Sequence, residues 1–223
     1  MCFSAEASAG VAVALLPTGA YCLQAAWRKD RAYLPIAAVP LLFGLQQLCE
    51  GAVWAALDRG DSEAARVPLL GFLFFAFAVW PVWVPLAAAA IEPPGWNRRT
   101  LFALAACGVL YATTYYLPIA ANSGRGLGPG VVGHSIRYDF SAVPAIRSSW
   151  WWVWPLLYLV AACGPSLASR DRRLRPLGVA VLLAAVVTYA LFAYAFTSVW
   201  CLFAAVLSVY LAYVLDRLPD RPA

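Results

Sequence analysis

The stretch Gly44-Leu-Gln-Gln-Leu-Cys-Glu-Gly51 places one carboxyl and two carboxamides inside an otherwise apolar run. On a helix, residues four apart are neighbours, so Gln46 and Glu50 share a face and Trp54 extends it by a turn. A carboxyl flanked by amides can hold a polar ligand, pass a proton, or tie one helix to another. Gln47, on the adjacent row, has the same reach. Four further residues could join this group: Glu6, Tyr115, Tyr189 and His134. Together these eight residues are the candidate ligand-binding set.

Other chemistries are narrower. A zinc centre wants several converging His or Cys ligands, and His134 is the only histidine. The metal reading is therefore reduced to a mixed site of Cys2 and His134 with Glu50, and no metal is expected. The plain alternative for His134 is a loop residue paired with Asp139 or solvent. A retinal Schiff base needs a buried lysine, whereas the single lysine, Lys29, lies in a charged turn. A bis-histidine haem is impossible with one histidine. A serine triad would have to combine His134 and Asp139 with Ser4, Ser141 or Ser198, and no nucleophile-elbow motif supports it. The glycines of Ser123-Gly-Arg-Gly-Leu-Gly-Pro-Gly130 have no P-loop lysine after them, so they are not read as a phosphate cradle. No cofactor is expected.

Positioning such residues falls to elements that the composition restricts strongly. Of 223 residues, 63% are hydrophobic and 12% charged, with a mean hydropathy of +0.73. A soluble domain carries about 25% charged residues, so a water-facing enzyme, a nucleic-acid-binding domain and a disordered tail are all excluded. The remaining solvent is a lipid bilayer, where a spanning helix needs about 20 apolar residues. Seven segments meet that requirement: Ala7–Trp27, Tyr33–Leu57, Val67–Ile91, Thr100–Ala120, Trp150–Ala168, Pro176–Phe196 and Ser198–Leu215. The fold expected is an all-α membrane protein, a single domain forming a seven-transmembrane-helix bundle. The sixth and seventh spans are parted only around Thr197, and one long connection runs from 121 to 149. Met1–Gln24 has no Lys or Arg ahead of its apolar core, so the first span reads as retained rather than as a cleaved leader.

Direction follows from the basic residues. Alternate connections hold eleven Lys and Arg on one side (positions 28, 29, 31, 98, 99, 170, 172, 173, 175, 217 and 221) and five on the other. The positive-inside rule puts the eleven in the cytoplasm, the N-terminus outside and the C-terminus inside a bacterial cytoplasmic membrane. Glu50 then lies about 10 Å below the outer end of its span. Tyr111, Thr114, Tyr115, Thr188, Tyr189 and Tyr194 fall in the same outer half, while the inner halves of spans one, four and six are mainly Ala, Leu and Val. A carboxyl at that depth costs roughly 2.5–3.5 kcal/mol if it faces lipid, so it should face the bundle interior. Trp150-Trp-Trp-Val-Trp154 reads as an interfacial belt, and Pro81 and Pro85 as a mid-membrane kink.

The opening Met1-Cys-Phe-Ser-Ala-Glu-Ala-Ser8 resembles the start of an uncharacterised family of bacterial integral membrane proteins. Phe43-Gly-Leu-Gln-Gln-Leu-Cys-Glu-Gly-Ala-Val-Trp54, Phe72–Pro85 and Thr197-Ser-Val-Trp-Cys201 resemble the same family, so the likeness covers the whole chain. It implies several membrane spans and brings no activity. It concentrates interest on Cys2, Glu6, Gln46, Gln47, Glu50 and Trp54. The expectation is an outward-opening polar pocket for a small molecule or lipid headgroup, with Gln46 and Glu50 as its floor and the N-terminus and glycine-rich loop as its lid. Two other readings stay open: an outer-leaflet enzyme using Glu50 with His134 or Cys2, and a structural subunit in which Glu50 is glue between helices.

Overall fold

In the computed structural model, described for residues 4–122, 127, 129–132, 134–140, 143–147 and 149–219, each long apolar run is helical. About 80% of the chain is helix. α1 (Ala5–Lys29) starts at Ser4, whose side chain accepts the Ala7 N–H at 3.2 Å. It stops at Asp30, which is extended and whose carboxylate caps the next turn through the Ala32 N–H at 2.9 Å. α2 (Arg31–Asp58) then returns antiparallel along α1. The two backbones are in direct contact at Gly19, where a Cβ would lie 2.5 Å from the Leu41 nitrogen.

α3 (Arg66–Ile91) and α4 (Trp96–Ala121) form the next pair. Prolines at 81 and 85 remove two backbone donors from α3, and the helix accommodates them in two ways. Ahead of Pro81, residues Phe75–Val79 widen into a π turn, so that the Trp80 N–H bonds the Phe75 carbonyl five residues back. Behind it, Pro85 cannot donate to the Pro81 carbonyl. Gly108 of α4 packs against that oxygen, so closely that a Cβ there would sit 2.1 Å from it. At the prolines where a kink is expected, the helix shows a π turn and a glycine contact.

After α4 the chain forms a short antiparallel hairpin, β1 (Gly130–Val132) with β2 (Ser135–Arg137), in the register Gly130↔Arg137 and Val132↔Ser135. This hairpin is an addition to the all-helical architecture expected. His134 sits at its turn in the left-handed region, with φ 63°. Ser135 and Ile136 are fully buried, and Tyr138 and Phe140 pack their rings on Phe72 and Phe77 at 5.8 and 5.3 Å. The segment therefore plugs one end of the bundle.

α5 (Val153–Ala168) begins three residues later than expected from Trp150. The helical stretch Arg172–Asp216 folds back on itself, giving α6 (Arg175–Phe192), α7 (Phe196–Leu207) and α8 (Tyr210–Asp216). Its bend lies at Ala193–Ala195 rather than around Thr197, because Phe192 and Ala195 are the residues that leave helical geometry. The return is fixed at the far end, where the Tyr210 hydroxyl donates to the Arg173 carbonyl at 3.2 Å.

That far end gathers the connections rich in basic residues. Lys29 donates to the Asp216 carbonyl, and the Tyr33 hydroxyl to Asp171 at 2.7 Å. Glu92 accepts from the Ser169 hydroxyl at 3.1 Å and the Arg170 N–H at 2.7 Å. The α1–α2, α3–α4 and α5–α6 connections and the end of α8 therefore share one face, with the hairpin and the start of α1 opposite. α1–α4 and the Arg172–Asp216 stretch are each long and apolar enough to cross a membrane, and α5 is a shorter apolar helix.

Candidate functional site

Within α2, the face carrying Gln46, Glu50 and Trp54 turns into the bundle, as expected. Gln46 and Gln47 are fully buried and Glu50 is 2% exposed. Three elements converge on this face. α7 brings Ser198, whose hydroxyl donates to Glu50 Oε1. Gln47 Nε2 donates to Glu50 Oε2 at 3.0 Å. α3 brings Trp80, turned inward after the π turn, whose indole N–H donates to Gln46 Oε1 at 2.7 Å. The same indole stacks on Phe43 with ring centroids 3.9 Å apart. The hairpin segment contributes Tyr138, whose phenol is held protonated well above its ordinary range by burial and by the neighbouring Glu50.

Hydrogen bonding within this cluster is incomplete. Among the described residues, Gln46 Nε2, Gln47 Oε1, Trp54 Nε1 and the Tyr138 hydroxyl are buried without a hydrogen-bond partner. Glu50 itself accepts one donor on each oxygen. Chemically, the cluster joins α2, α3 and α7 beneath the hairpin and keeps unspent donors beside a carboxyl.

A chamber of about 640 Å³ adjoins it, lined by nine aromatic rings from α3, α4, α5, α6, α7 and the flanking segments. Tyr111 and Tyr115 stack in parallel at 4.6 Å on its α4 wall. Cys201, beside Gln46 and Glu50, is part of the lining and links the chamber to the polar cluster. Trp151, Leu156, Val186 and Tyr189 of the lining are more than half exposed, so the chamber opens sideways on the perimeter of the bundle. Neither Gln46, Gln47 nor Glu50 lines it.

The eight candidate residues thus separate into groups. Gln46, Gln47, Glu50 and Trp54 are together in the cluster. Tyr115 and Tyr189 belong to the chamber, Tyr189 at its exposed rim. Glu6 is exposed near the start of α1 and His134 is exposed at the hairpin turn. His134 precedes Tyr138 by four residues, a span of up to about 13 Å in extended chain. Cys2, most of the glycine-rich run and Ser141 lie outside the described residues. Among the described residues no group of three or more His, Cys, Asp or Glu is placed to hold a metal, and Cys22, Cys49, Cys107, Cys163 and Cys201 are free thiols.

Sequence reasoning passed over Trp80 and Tyr138 as members of the cluster, since spacing along one helix says nothing about its neighbours. It also missed Glu92, whose signal was available: a carboxylate that ends an apolar run just before Pro93-Pro94.

The molecule is a helical bundle with several helices long and apolar enough to span a membrane, plugged at one end by a hairpin. The chain belongs to a family of unknown function (DUF6629), whose model matches residues 1–222. No curated protein and no solved structure matches it.

Proposed function

We propose that this chain is a seven-span protein of the bacterial cytoplasmic membrane, with the hairpin outside and the C-terminus inside, that binds an apolar or amphiphilic small molecule from the outer leaflet. The binding place is the aromatic chamber, and the Gln46–Glu50 cluster lies behind its Cys201 wall. One observation carries the reading: a chamber of about 640 Å³, within the 300–1,000 Å³ typical of ligand sites, opens on the perimeter of the bundle. Aromatic rings give large, rigid contact area at small entropic cost, which suits a hydrophobic guest. The orientation rests on the basic residues gathered at the opposite end. A binding or sensing role fits better than catalysis, because the exposed His134 and the buried Glu50 do not meet.

Ala185 lines the chamber and is itself buried. Ala185→Trp should fill the space while leaving the Glu50 cluster untouched. Native mass spectrometry of the purified protein should show a retained lipid-sized adduct that this variant loses. Equal adducts on both proteins would sink the chamber as the binding place.

A further inference from the structure

Below the aromatic chamber lies a second, smaller one of about 90 Å³. The two follow each other along the same pair of helices. On α6 the outer chamber is lined by Ala185, Val186, Tyr189 and Ala190 and the inner by Leu177, Gly178 and Val181; on α7 the outer begins at Phe196 and the inner continues through Ala204, with Ser208 just past the helix end. Tyr158, Trp200 and Cys201 line both. The partition is aromatic: the Tyr158 and Trp200 rings meet edge-on at 5.5 Å, and the Trp200 indole donates to the Val181 carbonyl at 3.1 Å. From Tyr189 to Leu177 the helix rises about 18 Å, more than the roughly 15 Å depth of one leaflet's hydrocarbon.

We propose that the two chambers are one channel for a single long alkyl chain, with Trp200 and Tyr158 as the partition that sets how deep the chain reaches. This rests on the ligand-binding reading above and names its ligand class. Three features select a slender chain over other hydrophobic guests. The inner space is smaller than the 150 Å³ cavity that admits benzene, so a ring is excluded from it. Among the described residues neither lining contains a charged side chain, so a polar head stays at the mouth, beside Thr197 and Tyr189. The channel enters from the perimeter, where alkyl chains of the bilayer lie. Depth selectivity follows: a short chain fills the outer chamber alone, and a long one must turn the partition to pass.

Two alkyl alcohols, decyl and hexadecyl, each with a diazirine on the terminal carbon, distinguish these cases in the full-length protein embedded in lipid nanodiscs. After photolysis, the labelled residues are located by peptide mass spectrometry, and only labelling competed by excess plain hexadecanol is counted. The hexadecyl probe should mark the inner lining, at Val39, Leu177 or Leu211, and the decyl probe the outer lining, at Leu159, Ala185 or Phe196. Ala204→Phe, which occupies the inner chamber, should cut inner labelling by the long probe at least ten-fold and move it outward. The comparison of probe lengths on the unaltered chain stands even where that variant does not fold. If both probes mark only the outer lining, the continuous channel is wrong while the ligand reading holds. If neither gives competed labelling in either chamber, both are wrong.

Discussion

Glu50 and Glu92 are both buried, at 2% and 3% exposure, yet the bundle treats them differently. Glu92 lies at the basic end, where its carboxylate takes a backbone N–H, a serine hydroxyl and an arginine 3.8 Å away. Water is near, since Arg170 is 73% exposed. Glu92 therefore acts as a joint, clamping the α5–α6 connection to the end of α3. Glu50 lies deep in the hairpin half with only uncharged partners, Ser198 and Gln47, and four unpaired polar atoms around the cluster. A joint needs no spare donors. Glu92 also keeps one oxygen, Oε2, without a hydrogen bond, but it faces the Arg170 guanidinium 3.8 Å away. The difference teaches that neither burial nor one unpaired atom marks a site; unspent donors gathered next to a chamber do.

Removing each carboxyl is the strongest way to break this contrast. Glu50→Ala strands the Ser198 hydroxyl and the Gln47 amide where water does not compete, at about 1–3 kcal/mol per orphaned group, and leaves a void. Thermal denaturation in micelles should show a loss of about 3–5 kcal/mol. Glu92→Ala should cost less, about 1–2 kcal/mol, because of its two orphaned donors only the Ser169 hydroxyl is fully buried, while the Arg170 N–H is partly buried beside an exposed side chain. An equal or larger loss at Glu92 would reverse the assignment of joint and site.

Arg170→Gln sharpens the comparison with a smaller change. It removes the guanidinium while keeping the backbone N–H that makes the 2.7 Å bond to Glu92. The pair is long and its arginine is 73% exposed, although Glu92 is buried, so it contributes about 1 kcal/mol and weakens with salt. The melting temperature should fall slightly at low ionic strength and match the unaltered chain at high salt. A large, salt-insensitive loss would mean that the ion pair, not the backbone bond, holds the connection.

Much of the architecture follows directly from composition and charge. Long apolar runs must be helical in lipid, and clusters of arginine mark alternate connections, which the ties among Lys29, Asp171, Arg173 and Asp216 bring to one face. The inward turn of Gln46, Glu50 and Trp54 also follows from the cost of exposing them. What depth cannot supply is azimuth. Thr188 and Tyr189 are adjacent at one depth, but Thr188 is fully buried and Tyr189 is 73% exposed. Only the packing of α6 on its neighbours separates them. The hairpin was missed for a different reason. In the sequence Val131-Val132 and Ser135-Ile136 flank the dipeptide Gly133-His134, a strand signal, but it follows directly on a run of alternating glycines that by itself reads only as turn. Trp80 joins the cluster through a π turn, which arises from proline geometry in three dimensions and has no spacing of its own.

The finest distinction between the two glutamates is carried by Tyr138, whose hydroxyl is one of the unpaired atoms around Glu50. Deleting an unsatisfied buried group removes a penalty instead of a bond. Tyr138→Phe should therefore be neutral to about 1 kcal/mol more stable at neutral pH. The same residue predicts an alkaline effect. Burial, and then the Glu50 carboxyl, raise the folded-state phenol well above its ordinary 10.0. Above that ordinary value the unfolded chain has released the proton and the folded chain still holds it, so stability falls as pH rises. The contribution is intact below pH about 10 and drains away above it. Tyr138→Phe should flatten that part of the alkaline decline relative to the unaltered chain, measured as melting temperature between neutral pH and pH about 11. Should the substitution instead destabilise the protein at neutral pH by more than about 1 kcal/mol, the hydroxyl has a partner, the cluster around Glu50 is a completed network, and it would be a second joint like Glu92.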